Sequence, residues 1–192
     1  MNIDEWSEKF ENENRITTWQ YGIFQSLIEK HSIDKNDLTL VEIGVARGGH
    51  VRHLLDTFSS HIKKIYGIDP YISGYDDKDV RSRLSEEEQE WLYTWVNNYC
   101  KDDKFRLIRS TSEYVVPFFD DETIDAIYID GAHTFEGVTT DIQAWLPKVK
   151  TGGILVGDDF NWSSVEKAVR DLLPGVLSIG NTWYYLKNEN EV

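Results

Sequence analysis

The sequence predicts an α/β fold, a doubly wound and mainly parallel sheet that closes in an antiparallel C-terminal hairpin. Three observations predict it. Short apolar runs alternate with stretches of helical period along most of the chain. Runs such as "AIYI" and "GILV" lack polar alternation, as expected of strands covered on both faces. The last two runs, "VLSIG" and "TWYYLK", flank Gly180-Asn181, a hairpin-turn pair.

The elements follow in order. Residues 1–37 read as a helical lead-in. Within it, 4–15 are acidic and polar, and Ile16, Trp19, Ile23, Leu27 and Ile28 recur at helical spacing. "LTLVEIGV" reads as the first strand, "GHVRHLLDTFSS" as a helix and "IKKIYGID" as the second strand. The link from Pro70 to Lys104 is longer than the usual connection of about 2–6 residues plus a helix, so 70–104 reads as an insert. Its helix, "SEEEQEWLYTWVNNYC", opens with a capping box, Ser85 and Glu88, and aligns Trp91, Trp95 and Tyr99 on one face. That face suits a core or dimer contact, or a lid whose rings stack on a sugar or flat substrate. "KFRLIRS", "IDAIYID" and "GGILVGDD" read as strands three to five. "TFEGVTTDIQAWLPKV" is a helix ending near Pro147, and "SSVEKAVRDLL" a helix with an expected capping box, Ser163 and Glu166.

Composition bounds the function. A chain of 192 residues with 40% apolar content suits a single domain, 1–192, with its own core. One cysteine, Cys100, leaves no internal disulfide and no CxxC zinc site, and points to a reducing, cytoplasmic setting. The polar start is expected to carry no secretory leader, and no apolar run approaches the roughly 18 residues of a membrane span. A formal net charge of −14 repels phosphate backbones, so nucleic acid is not an expected partner, whereas cations are tolerated. A homodimer is a possible state.

Ligands of such sheets bind beyond the carboxyl ends of the strands, where strand order reverses. Asp69, Asp130, Asp158 and Asp159 all fall at such ends and should gather at one rim. The first turn, Gly44 to Gly49, has the spacing G-x-x-x-G-G, which is neither a dinucleotide fingerprint nor a phosphate-binding P-loop. Glu42, just before it, suits a cofactor with a cationic group. Asp69 can accept both hydroxyls of a ribose. The plainer reading makes Glu42 a satisfied polar residue, the glycines a turn, and Asp69 a cap on the Pro70 turn.

"VEIGVARGGH", "YGIDPY" and "IYIDGAHTFEGVTTDIQAWLPKVKTGGILVGDD" together resemble class I S-adenosylmethionine-dependent methyltransferases. Within these the chain is most similar to small metal-dependent O-methyltransferases of the macrocin, mycinamicin and catechol types, over roughly residues 38–187. The resemblance implies a seven-stranded sheet with a reversed final hairpin. It implies that Glu42 and the loop with Gly44, Gly48 and Gly49 hold the amino-acid end of S-adenosylmethionine, that Asp69 holds its ribose, and that Ser112, or else Thr111 or Glu113, lies by the adenine. Asp130 is counted with the cofactor set and with the metal set.

Asp130, Asp158 and Asp159 are hard oxygen ligands suited to Mg²⁺, Mn²⁺ or Ca²⁺. His133 follows Asp130 by three residues and is the candidate general base for a substrate hydroxyl, a role that the macrolide-sugar enzymes give a histidine at this place. Strand neighbours point to opposite faces, so Asp158 and Asp159 share one ion only if the chain leaves the strand there. Catechol-type relatives carry Asp-Asn at this pair, and Asn161 is an alternative ligand. The plain reading has Asp130 and His133 capping a helix and Asp158-Asp159 in a solvated turn. Trp162 is a candidate substrate wall. His31, His50, His53 and His61 read as structural or solvated. The function expected is O-methyl transfer to a hydroxyl of a small-molecule sugar or diol. The alternative is a catalytically degenerate binding module on the same fold.

Overall fold

A computed structural model describes residues 18–31, 36–76 and 79–188. The acidic stretch 4–15 and Ile16 lie outside the described residues. Helix α1 spans Thr18–His31, and β1 (Leu38–Ile43) leads through the glycine loop into α2 (Gly49–Thr57). Strand β2 (Ile62–Asp69) precedes the insert, whose helix α3 is Glu86–Tyr99. Then come β3 (Phe105–Arg109), a one-turn helix α4 (Ser112–Val115), β4 (Ile124–Ile129), α5 (Phe135–Trp145), β5 (Val149–Gly157), α6 (Ser163–Leu172), β6 (Leu177–Ile179) and β7 (Thr182–Leu186).

The strands form one seven-stranded sheet in the order β3-β2-β1-β4-β5-β7-β6. Strands β1 to β5 pair in parallel, and β7 pairs antiparallel with both β5 and β6. The doubly wound sheet with a terminal hairpin is thus the observed fold. Gly180, at φ 61, supplies the hairpin turn.

Period-two alternation sorts the core onto two faces. Leu38 and Leu40 of β1 pack with Phe24, Leu54 and Val96 from α1 to α3. Val41 and Ile43 pack with Val138, Ile142, Trp145 and Val169 from α5 and α6. Glu42 therefore shares the face of Leu40 and points toward α1 and α2. The helix after β1 and the helix after β4 lie on opposite faces, so adjacent β1 and β4 open a crevice at their carboxyl ends.

Local chemistry sets the helix ends. Ser85 and Glu88 form the expected capping box at α3. The aromatic face of α3 packs inward: Trp95 is buried and stacks on Tyr99 at 4.4 Å, with Trp91 against the same core. The box expected at Ser163 and Glu166 does not form. Trp162 occupies the N-cap position without a side-chain bond, because the helix starts at Ser163, one residue earlier than the box requires, and the Glu166 amide bonds to the Trp162 carbonyl. Glu166 instead pairs with Arg170 one turn on. No sequence period announced α4, which is a single turn.

Candidate functional site

The carboxyl ends of β1, β2 and β4 surround a cleft lined by Gly44, Ala46, Asp69, Tyr71, Tyr75, Asp76, Arg81, Ser112, Asp130 and Asp141 among others. A second, smaller cavity beside it is lined by Asp130, Gly131, His133, Asp158, Asp159 and Trp183. Asp130 lines both. The expected gathering of strand-end acids at one rim is therefore what the fold produces.

Gly44 is where β1 must turn under β4. It has φ 85, and a β-carbon there would stand 1.9 Å from the carbonyl oxygen of Asp130. Asp69 then organises the loops on either side. Its Oδ2 accepts from the amides of Val45 (3.0 Å) and Ala46 (2.9 Å), and its Oδ1 from that of Tyr71 (2.9 Å). Ala46 (φ 48) and Tyr71 (φ 46) both hold left-handed backbone, and the Tyr71 hydroxyl donates to the Ala46 carbonyl at 3.0 Å. Strained residues of this kind persist only where neighbours hold them, and they cluster at functional sites. Burial raises the Asp69 pKa against those three amide bonds and the charge of Arg81.

Three residues of the expected cofactor set lie off this cleft. Gly48, the N-cap of α2 at φ 68, allows close packing on α3, since a β-carbon there would meet Cys100 Sγ at 2.7 Å. Gly49 is the first residue of α2 and is buried. Glu42 is buried with Oε2 3.1 Å from Nδ1 of His50, in an alignment that makes no hydrogen bond. His50 in turn sits among Phe24, Tyr21 and Tyr128 rings. Ser112 does line the cleft, where its hydroxyl donates to Asp141.

Strand β5 ends at Gly157, and Asp159 adopts φ 57. The chain does leave the strand at the Asp158-Asp159 pair, a left-handed step that aspartate tolerates. The step brings Asp159 to Asp130 and His133, whose ligand atoms lie within 4.8 Å of one another. Asp158 lines the same cavity but turns aside. Its Oδ1 accepts from the Asp159 amide at 2.9 Å, and Tyr128 also bonds to its carboxyl. Asn161 is exposed and is not part of the cavity wall. Trp162 stands over the His133 ring at 4.8 Å.

His133 is held at both nitrogens. Nδ1 lies 2.9 Å from Asp76 Oδ2, and Nε2 lies 2.7 Å from Asp159 Oδ2. Two carboxylate acceptors require two N–H donors, so this arrangement holds an imidazolium. Burial works against that charge, but the bonds to Asp159 and Asp76 outweigh it and push the pKa up to about 9. Burial also pushes Asp130 up to about 8, with Asp158 and Asp159 adding to the rise and Arg81 opposing it. The first helical turn after Asp130 is capped by Thr134, which accepts from the Gly137 amide at 3.0 Å. Neither Asp130 nor His133 is needed as that cap.

Sequence reading missed Asp76 and Arg81. Asp76 is buried and also accepts from the His133 backbone amide at 2.8 Å. The single Nε–H of Arg81 is shared between both carboxylate oxygens of Asp79, at 2.9 and 2.8 Å, and the Arg81 pKa is raised above the ordinary value. Burial there works against its charge, and the carboxylates of Asp130, Asp79 and Asp69 outweigh burial. Both residues sit in "YISGYDDKDVRSR", where acids and arginines crowd without any period to mark which face inward.

Residues 41–160 match the family model of a methyltransferase domain. The chain belongs to this methyltransferase family. The resemblance to class I S-adenosylmethionine-dependent methyltransferases is borne out, and the family supports S-adenosylmethionine as cofactor. The methyltransferase chain is 28% identical over 159 residues to an uncharacterized protein of Acanthamoeba polyphaga mimivirus, spanning 77% of this chain and 66% of that one. A third of that relative lies outside the match. The solved O-methyltransferase NovP shares the fold with a TM-score of 0.65 and 20% identity, over 88% of this chain and 80% of that one. MycE methyltransferase from the mycinamycin pathway, in complex with Mg, SAH and mycinamycin VI, gives 0.59 and 17%, over 88% of this chain and 49% of that one. Among the described residues no helix is long and apolar enough to cross a membrane.

Proposed function

We propose that this methyltransferase is a divalent-cation-dependent O-methyltransferase that moves the methyl group of S-adenosylmethionine to a hydroxyl of a small molecule, a sugar or diol. One observation carries the reading. Asp130 lines both the cleft and the adjoining cavity of acids and histidine, so a cofactor in the first and a hydroxyl in the second would meet there. NovP and the Mg and SAH complex of MycE support the same reading by likeness of fold.

The residues present fit both groups. Asp69 has unused lone pairs for a ribose beyond its three amide bonds. Asp130 and Asp159, joined by Asp158 if its carboxylate rotates off the Asp159 amide, form a donor set for a hard cation. A divalent cation there supplies Lewis acidity toward a hydroxyl oxygen.

The remaining chemistry belongs to side chains. Asp76 holds the Nδ1 proton of His133 and leaves Nε2 as the nitrogen that exchanges a proton within the cavity. His133 acts as base once Asp159 turns from Nε2, since with that contact made it already carries its proton. The loops clamped by Asp69 orient the cofactor, and holding two reactants in register supplies much of the acceleration. Trp162 packs against the His133 ring from outside the residues that line the cavity, so it supports the imidazole rather than walling the substrate.

Calorimetric titration with S-adenosylhomocysteine, with and without Mg²⁺, followed by methyl transfer from labelled cofactor to a panel of sugars and diols, tests the reading. Binding and cation-dependent transfer are expected. Absence of cofactor binding overturns it, and binding without transfer to any acceptor favours the degenerate module.

A further inference from the structure

The helix layers cover the sheet unevenly. On one face α5 and α6 pack over β4 and β5. The crossover from β3 to β4, residues 110–123, carries only the single turn of α4 and a 3₁₀ turn, Val116–Phe118. A helix is about 10 Å across, enough to cover two strands about 4.8 Å apart, but a single turn does not run their length. The same face of β2 and β3 is left as a groove of about 880 Å³, which Tyr66 and Ile108 line from the strands and Val115 and Phe119 from the crossover. Tyr114 and Phe118 also line it. At 75% and 87% exposure they are the two most exposed large apolar side chains among the described residues. Single exposed apolar residues are ordinary, but two rings beside an apolar groove form a contiguous patch, the mark of an interaction surface. Two charged side chains line the groove, Lys63 and Asp120. Both are exposed, and neither side chain has a hydrogen bond or ion pair among the described residues.

We propose that this groove is the interface of a homodimer, in which Phe118 of each copy enters the groove of the other about a twofold axis. A twofold interface pairs one patch with itself, so the patch must be complementary to itself. This one holds both a projecting ring and a recess. Its charges fit the same symmetry: Lys63 of one protomer meets Asp120 of the partner subunit, and the contact occurs twice. A partner of strongly one-signed charge would set one of these two groups against a like charge, whereas a second copy matches both. Phe118 and Tyr114, at about 150–250 Å² per ring, bring roughly 300 Å² of exposed apolar surface per copy. That is the centre of an interface at the low end of the stable range, near or below about 800 Å² per partner. The net charge of −14 on each copy opposes association. Salt screens that repulsion beyond about 8 Å at physiological ionic strength, and leaves the contacts within the patch to decide. A dimer exchanging with monomer at micromolar concentration is the expected state.

Sedimentation velocity on the full chain, from about 1 µM to 1 mM, tests the inference. The weight-average mass is expected to rise toward twice that of one chain. Phe118→Asp should weaken dimerisation by at least about thirtyfold, the scale of a central aromatic anchor. Lys63→Asp and Asp120→Lys each set like charges across the axis twice, so each alone should weaken it by about tenfold or more. Mixed one to one, these two variants should associate more tightly than either does alone, because the mixed dimer has opposite charges at both contacts. The groove shares no lining residue with the cleft or the cavity, so thermal melts matching the wild type are expected and report that each variant is folded. A wild type that stays monomeric up to about 1 mM overturns the inference. A dimer that Phe118→Asp leaves unchanged places the interface elsewhere and also overturns it. A mixture that associates no better than its separate components overturns the twofold pairing of Lys63 with Asp120, and that comparison is independent of the wild type.

Discussion

The Asp76 carboxylate oxygen Oδ2 accepts from both the backbone amide (2.8 Å) and the Nδ1 of His133, across 57 residues of sequence. One oxygen thus fixes the main chain and the ring together. Asp76→Ala should free the ring to rotate and to change tautomer. Turnover is expected to fall by about 10- to 100-fold, with the cofactor dissociation constant changed far less. Equal losses in cofactor affinity and turnover would show Asp76 to be a cleft residue only.

Asp69→Ala removes three amide acceptor bonds from loops that carry left-handed Ala46 and Tyr71. It should weaken S-adenosylhomocysteine binding by at least about tenfold and lower stability by roughly 2–4 kcal/mol, because the orphaned amides are partly buried. Glu42→Ala should also weaken the cofactor by about tenfold, since it removes a buried carboxylate from behind the loop. A folded double variant with wild-type affinity would refute both roles.

Metal affinity should separate the acids. Asp130→Asn and Asp159→Asn, which alter two of the three clustered ligand groups, are expected to weaken Mg²⁺ or Mn²⁺ binding more than Asp158→Asn, because Asp158 is turned onto a backbone amide. His133→Ala should leave cation affinity nearly intact and slow turnover by roughly 10²- to 10⁴-fold. Loss of cation binding in that variant would make His133 a ligand. Cofactor binding should survive EDTA in every case.

Stability of the chelated protein should fall as pH rises from about neutral to 9. His133 is raised from 6.5 to about 9, so its favourable contribution is complete below 6.5 and is lost as pH climbs through 9. Asp130, raised from 3.8 to about 8, keeps a proton in the folded chain that the unfolded chain has released, and this too erodes stability up to pH 8. The combined loss is expected to be on the order of 1–3 kcal/mol. Denaturant melts between pH 6 and 9 read it directly, and His133→Gln should flatten the upper part of the curve. A flat wild-type profile would mean that the imidazolium pair is not formed in solution.

Much of this was legible in the residues themselves. Strand periods, the Gly180-Asn181 turn and the Ser85-Glu88 box act over a few neighbours, so "LTLVEIGV", "IYIDGAH" and "GGILVGDD" placed their strands and their terminal acids without a tertiary structure. A side chain's partner across the sheet is another matter. That Asp159 rather than Asp158 meets His133 depends on one left-handed step beyond β5. That Glu42 faces His50 depends on which face of β1 α2 covers. Asp76 reaches His133, and Ser112 reaches Asp141, only because the insert folds back over the strand ends and α4 packs on α5. Local sequence determines torsions and caps, which are short-range. Long-range pairing is decided when the layers close, and the acids that matter are those which closure leaves facing the same few ångströms of space.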